Sequence, residues 1–222
     1  MTSTEPTRLL AGVDLFAEFR PEELNRLAEA SIREELRRGD VLFREGDPPD
    51  QLYVVIRGRV AISMRSPDGR ESLVALMESG DLFGEMSLFQ DQGRSAEARA
   101  LERSAVLSVA LDPVREIYKQ RPELLWSVVV LLADRLRTMD EALADSMFLD
   151  VTGRTAKRLL EMAGDQDEFM LPVTQEELSA IVGASRERVN KAIANFVRLG
   201  WLEQSDRNYR ITDRDQLALR AR

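Results

Sequence analysis

Residues 174–200 read TQEELSAIVGASRERVNKAIANFVRLG, and few structures satisfy that pattern. Thr174 stands where a helix N-cap belongs, with Glu177 three residues on, which is the spacing of a capping box. A short helix over residues 175–182 follows. Gly183-Ala184-Ser185 makes a turn, and Ser185 caps a second helix. That helix carries Arg186, Glu187, Arg188, Asn190 and Lys191 on one side and Val189, Ile193, Phe196 and Val197 on the other. A capped helix, a tight turn and a helix with a polar amino end is the helix-turn-helix arrangement, whose second helix enters the DNA major groove. A plain helical hairpin with a solvated charged face is the alternative.

Charge distribution supports the groove-reading alternative. The chain of 222 residues has a formal net charge of −8, which opposes DNA binding if spread evenly. It is not spread evenly. Residues 1–149 hold 19 basic and 27 acidic side chains, whereas residues 150–222 hold 12 of each. Within residues 183–210, six basic residues face three acidic ones, so positive charge gathers where phosphates would be met.

Absences exclude whole classes. With Cys 0 and His 0, the chain offers no disulfide, no thiolate-held iron–sulfur cluster, no histidine-ligated haem and no His-based zinc site or triad. No phosphate loop, nucleophile–base set or metal-ligand cluster stands out, so an enzyme is not expected. No apolar run reaches membrane-spanning length and no signal peptide opens the chain, which predicts a cytoplasmic protein that does not enter a membrane.

The rest of the chain changes period along its length. Residues 1–35 read as short helices, one starting at Pro21 with Leu24, Leu27 and Ala28 inward. From Gly39, strands are expected over residues 41–43, 51–56, 59–65, 72–77 and 105–111. Turns fit Gly46-Asp47-Pro48-Pro49, Arg57-Gly58, Pro67-Asp68-Gly69 and Ser79-Gly80-Asp81. Such spacing suggests an antiparallel β-roll. A long helix follows over residues 122–147, about 39 Å at 1.5 Å per residue. Its Leu125, Val129, Leu132, Leu136, Met139, Leu143 and Ser146 form a heptad seam, which favours a parallel homodimer over packing on its own roll. Phe148-Leu149-Asp150 reads as a hinge, and Asp150 as the N-cap of a helix over residues 151–163. Residues 164–171, GDQDEFML, read as a solvated acidic loop, with a polymerase-contact surface as the alternative. Residues 201–204 and 209–212 flank a β-wing turn at Ser205-Asp206-Arg207-Asn208. The fold class is therefore α+β, with domains at 1–120 (β-roll), 121–148 (dimerisation helix and hinge) and 149–222 (winged helix-turn-helix).

That order of parts, with Arg38-Gly39-Asp40-Val41-Leu42-Phe43-Arg44-Glu45-Gly46-Asp47, Phe83-Gly84-Glu85, Arg94-Ser95-Ala96, Phe148-Leu149-Asp150-Val151-Thr152-Gly153-Arg154 and Val182-Gly183-Ala184-Ser185-Arg186-Glu187, resembles the catabolite-activator branch of the cyclic-AMP receptor/fumarate-nitrate regulator (CRP/FNR) family. The resemblance spans nearly the whole chain. It implies a cyclic AMP effector held by Gly84, Glu85, Met86, Ser87, Arg94 and Ser95. Arg94, Ser95 and main-chain N–H groups near Gly84 would meet the phosphate, and Glu85 the ribose 2′-hydroxyl. Counted back from Phe148, the adenine-contacting positions on the long helix are Met139 and Asp140. The best-known members carry a hydroxyl pair there; Met139 cannot donate, and Asp140 only accepts.

On the DNA side the resemblance implies a TGTGA-like palindrome read by Arg186, Glu187 and Lys191, with Thr174, Gln175, Ser185 and Arg207 on phosphates. Double-stranded DNA, a second copy of the chain and RNA polymerase are the implied partners. Two other readings stay open. The same regulator would answer to another nucleotide or act without ligand, or the chain would be a nucleotide-binding regulatory subunit of an enzyme or channel.

Overall fold

The computed structural model describes residues 4–66, 71–90 and 92–222. The expected turn at Pro67-Asp68-Gly69 lies outside the described residues. Helix α1, Glu5–Ala11, is capped by Thr4, and α2, Pro21–Ala30, starts on its proline. Glu23 accepts the Arg20 N–H at 2.7 Å, closing the first turn of α2. Leu24, Leu27 and Ala28 face inward as expected.

Helix does not continue to residue 35. Ser31 turns extended at ψ 153°, and Ile32–Leu36 forms strand β1. Its Arg-Glu-Glu centre has no strand signal of its own. The partner that makes it a strand lies 68 to 76 residues away, with Ile32 opposite Ser108 and Leu36 opposite Ser104. Long-range pairing overrides local preference here.

Seven further strands complete the roll: β2 Val41–Phe43, β3 Gln51–Arg57, β4 Val60–Arg65, β5 Glu71–Met77, β6 Leu82–Phe83, β7 Glu97–Ala100 and β8 Ser104–Ala110. They form two four-stranded sheets, in the orders β1-β8-β3-β6 and β2-β7-β4-β5. Strand β3 is central and nearly all apolar, with Leu52, Val54 and Val55 fully buried. One core joins Leu52, Val54, Leu107 and Val109 to the N-terminal helices and to α3, Leu111–Gln120. A second gathers Phe43, Tyr53, Val60 and Phe83 between the sheets.

Pro122 opens a 3-10 turn, Pro122–Leu124, and the long helix α4 runs Leu125–Phe148. Val128 is buried against the first core, and Leu131 packs on it. The heptad residues lie on the flank next to that buried stripe and are open to solvent: Val129 is 50% exposed, Leu132 46%, Leu136 60%, Met139 63% and Leu143 59%. By contacts the chain divides into residues 1–70 with 74–136, and residues 71–73 with 137–222.

After α4 the second unit continues with α5, Val151–Ala163, whose N-cap Asp150 accepts the Gly153 N–H. Residues 164–171 are not all loop. Glu168–Met170 forms β9, which pairs with a later strand because Phe169 stacks on Tyr209 at 5.6 Å. Then come α6 Gln175–Val182, α7 Arg186–Arg198, β10 Leu202–Ser205, β11 Asn208–Ile211 and α8 Arg214–Arg220. The wing sheet has the order β10-β11-β9, and its turn places Asp206 at φ +53°.

Candidate functional site

Strand β6 ends at Gly84, whose φ of +81° leads into a 3-10 turn, Glu85–Leu88. A side chain at Gly84 would be strained by that φ. Its Cβ would also stand 2.8 Å from an Arg94 nitrogen. Arg94 is 4% exposed. Its Nη1 donates to the Gly84 carbonyl at 3.1 Å and its Nη2 to the Gln51 carbonyl at 2.6 Å. The guanidinium lies 4.2 Å from the Phe43 ring centroid, a cation–π distance. Its backbone is laced to the Gly46-Asp47 turn: Gly46 N–H donates to the Arg94 carbonyl at 2.8 Å, and Arg94 N–H to the Asp47 carbonyl at 2.9 Å. Both outer nitrogens of the guanidinium thus already hold main-chain carbonyls, so the fork expected for a phosphate is engaged. Buried Nε is left without a hydrogen-bond partner among the described residues. Burial pulls Arg94 below the usual arginine value, opposed by nearby Tyr53 and Asp50.

Glu85 is 3% exposed, and its Oε1 stands 2.8 Å from Arg135 Nη1. The contact is close in distance but poorly aligned, and neither carboxylate oxygen has a hydrogen-bond partner among the described residues. Burial pushes the Glu85 carboxyl up, and Arg135 pulls it back in part. Arg135 also donates to the Leu82 carbonyl at 3.0 Å. From α3, Arg115 holds the 3-10 turn by donating to the Leu88 and Ser87 carbonyls at 2.9 and 2.7 Å. Sequence reading missed both arginines. Arg135 falls between seam leucines, and nothing in the one-dimensional pattern aims it at Glu85.

A buried carboxylate that is ion-paired but without a hydrogen bond, and a buried guanidinium N–H without one, in one loop fit a ligand that brings both hydroxyl donors and an anionic group. Ser87 is buried, Met86 and Ser95 are exposed, and Ser95 Oγ lies 3.9 Å from Met86 Sδ. Met139 and Asp140 lie exposed on α4, in the second unit.

The helix-turn-helix is built as its residues demand. Thr174 Oγ1 accepts the Glu177 N–H at 3.2 Å, and Glu177 accepts the Thr174 N–H at 2.7 Å. Gly183 takes φ +68° after α6. Ser185 Oγ accepts the Arg188 N–H at 3.4 Å. Both cap hydroxyls act as acceptors, so each keeps its O–H to donate. On α7, Val189, Ala192, Ile193 and Phe196 are buried, while Arg186, Glu187, Arg188, Asn190 and Lys191 are exposed. Val197, expected on the apolar side, is 42% exposed because it lies in the last turn, past the edge of that stripe.

Among the described residues, Arg186, Arg188 and Lys191 have no ion pair. Gln175 turns inward, its Nε2 donating to the Tyr209 hydroxyl at 2.5 Å. Arg207 donates to the Leu171 carbonyl at 3.0 Å and is otherwise exposed. A cleft of about 600 Å³ lies between the first turn of α5 and α7, lined by Asp150, Thr152, Arg188, Lys191, Asn195 and Arg198 among others. Among the described residues no His/Cys/Asp/Glu group could hold a metal ion, and no helix is long and apolar enough to cross a membrane.

Comparison with known proteins bears on both regions. The cyclic nucleotide-binding domain family matches residues 33–121, and the Crp-like helix-turn-helix domain family matches residues 153–220. The chain is 39% identical to the CRP-like cAMP-activated global transcriptional regulator of Mycobacterium tuberculosis over 221 residues, 96% of this chain and 99% of that protein. It is 36% identical to the cAMP-activated global transcriptional regulator Vfr of Pseudomonas aeruginosa, over 70% of this chain and 77% of that protein. Among solved structures, the c-di-GMP responsive global regulator CLP of Xanthomonas campestris matches with a TM-score of 0.75 at 25% identity, covering 86% of this chain and 99% of that one.

Proposed function

The chain belongs to the CRP/FNR family of DNA-binding, cAMP-responsive transcription regulators, and from that premise we propose that it acts as a homodimer gated by cyclic AMP and reads a TGTGA-like palindrome. The observation that carries the effector reading is the Glu85 carboxylate, 3% exposed and without a hydrogen-bond partner among the described residues. A ribose 2′-hydroxyl would satisfy it. Arg94 Nε and main-chain N–H groups around Gly84, with Ser95, would meet the cyclic phosphate. Met86 and Ser87 border the same turn. Met139 and Asp140 would face the base from α4.

Division of labour follows: residues 1–120 bind nucleotide, 121–148 dimerise and hinge, and 149–222 bind DNA. Support for the dimer is the exposed apolar seam of α4, a surface that water disfavours and a second copy would cover. Arg186, Glu187 and Lys191 would read base edges, since Arg and Lys donate to guanine and Glu accepts from cytosine. Thr174, Gln175, Ser185 and Arg207 would meet phosphates, Gln175 with the one amide hydrogen not used on Tyr209. RNA polymerase is the further partner, the cytoplasm the setting, and no catalysis is involved.

A second reading keeps the DNA function and changes the effector. Met139 offers no hydrogen to a purine, and the related CLP protein responds to c-di-GMP. Calorimetric titration with cyclic AMP, cyclic GMP and c-di-GMP separates the two. Tight binding of cyclic AMP alone supports the main reading, and tight binding of another nucleotide alone replaces it.

A further inference from the structure

We propose that Arg220 is a positioning residue of the DNA-binding unit, neutralising Asp150 at the rim of the groove between α5 and α7; this rests on the DNA-binding reading above. Helix α8 is fastened at both ends of α5. At the far end, Arg214 donates to the Gly164 carbonyl at 2.9 Å, the Gln166 carbonyl at 2.7 Å and Asp167 Oδ1 at 3.2 Å. At the near end, Arg220 Nη2 bonds both carboxylate oxygens of Asp150. The approach is close: a Cβ at Gly153 would stand 3.0 Å from the Arg220 carbonyl oxygen and 3.1 Å from its Nη1. Glycine at 153 lets the last turn of α8 reach the first turn of α5.

Asp150 therefore has two tasks. Its Oδ1 caps α5 through the Gly153 N–H at 2.8 Å. Its carboxylate is also the only acid among the described residues lining a groove that presents Arg188, Lys191 and Arg198. The Gly153 N–H and Arg220 hold Asp150 below the usual carboxylate range, so it stays charged. A bare anion there would repel a DNA phosphate and draw Lys191 or Arg188 onto itself. Arg220 removes that charge without occupying the groove-facing cations. The pair is solvent-accessible, Arg220 at 34% and Asp150 at 62% of side-chain area. Exposed ion pairs contribute little to folding, so the effect should appear in DNA binding rather than in stability.

The experiment measures affinity of the full chain for a fluorescent TGTGA-palindrome duplex over a salt series, in wild type, Arg220→Ala, Asp150→Asn and the double variant. Asparagine keeps the cap. Arg220→Ala should weaken binding about threefold to tenfold and flatten the log–log salt slope by about 1.8, because the proposed dimer loses one unit of local positive charge at each of two half-sites. Adding Asp150→Asn should restore affinity to within about twofold of wild type and recover the slope. Wild-type behaviour of Arg220→Ala overturns the proposal. So does a double variant as weak as Arg220→Ala, because Arg220 then touches DNA itself or only packs. Failure of the wild type to bind any duplex overturns the DNA reading along with it.

Discussion

Glu85 and Arg135 meet at 2.8 Å, one from the 3-10 turn after β6 and the other from α4, and the contact joins the turn after Gly84 to the helix that carries the exposed apolar seam. Neither Glu85 oxygen gains an aligned hydrogen bond from it.

Replacing Glu85 by Gln is therefore expected to separate binding from folding. The lost charge-assisted bond should weaken nucleotide binding by about 1.5–3 kcal/mol. Stability should move the other way at neutral pH. Burial raises the Glu85 pKa in the folded chain. The folded state then holds its proton more tightly than the unfolded state, so stability falls as pH rises above the ordinary glutamate value of about 4.3. Removing the ionisable group should flatten that loss, and thermal melts from pH 4 to 8 (a range of about 4 units, spanning that value) compare the two. A steeper loss in Glu85→Gln than in wild type contradicts the assignment.

Arg94 is expected to be less separable. Arg94→Leu should abolish nucleotide binding, and it also strips donors from the Gly84 and Gln51 carbonyls. Each stranded buried acceptor costs about 1–3 kcal/mol, so the melting temperature should fall as well. Arg94→Lys keeps the charge but not the fork. It should retain more stability than Leu while still binding nucleotide poorly. Unchanged nucleotide affinity in either variant removes Arg94 from the site.

The seam makes a sharper prediction. Leu132 and Leu136 are 46% and 60% exposed on α4, and neither belongs to the buried core of the roll. Replacing both with Glu touches nothing in the core of the roll. Sedimentation should report monomers, and palindrome binding should fall because two half-sites no longer gain from one another. A dimer persisting in the double variant places the interface elsewhere.

Base reading and phosphate contact differ in what they alter. Glu187→Ala should relax preference at one half-site position, with a cost of about 1–3 kcal/mol on the preferred sequence. Arg207→Ala should weaken all sequences alike and reduce the salt slope. Selection of bound sequences from a random pool checks the first; an unchanged preference in Glu187→Ala removes it from base reading.

How far the sequence alone reached depended on the range of the interactions. The capping box of Thr174 and Glu177, the turn at Gly183 and the cap at Asp150 were legible because their partners lie within a few residues. The heptad of α4 was legible because its residues recur at spacings of four and three along one helix. Strand β1 was not, since its pairing with β8 is remote and its own residues favour no strand. Strand β9 hid in an acidic segment, where only the stacking of Phe169 on Tyr209 reveals it. At the nucleotide motif, Gly84, Glu85 and Arg94 could be named from their order, but not the fact that Arg94 Nη1 and Nη2 are bound to carbonyls. Arg135 and Arg115 were invisible, because a lone arginine on a helix carries no mark of the loop that it reaches.

Position 139 is expected to set how strongly the proposed effector acts. A ligand shifts a conformational equilibrium only by its differential affinity for the two states. Donors on the dimer helix would make base contacts that depend on how that helix is held. Met139, 63% exposed on the seam, offers none, and Asp140 only accepts. The proposed effector would then act mainly through phosphate and ribose, whose proposed partners Arg94 and Glu85 both belong to the first unit. The ligand-free protein should bind its palindrome appreciably, with a ligand-induced gain well below the ~10⁴-fold that an all-or-none switch requires. Met139→Thr restores a hydroxyl at the seam and should enlarge the gain. The measurement is palindrome affinity with and without saturating cyclic AMP in both proteins. If the wild type is silent without ligand and the ratio is unaltered in Met139→Thr, position 139 does not set the switch, and the coupling must run through the Glu85–Arg135 contact instead.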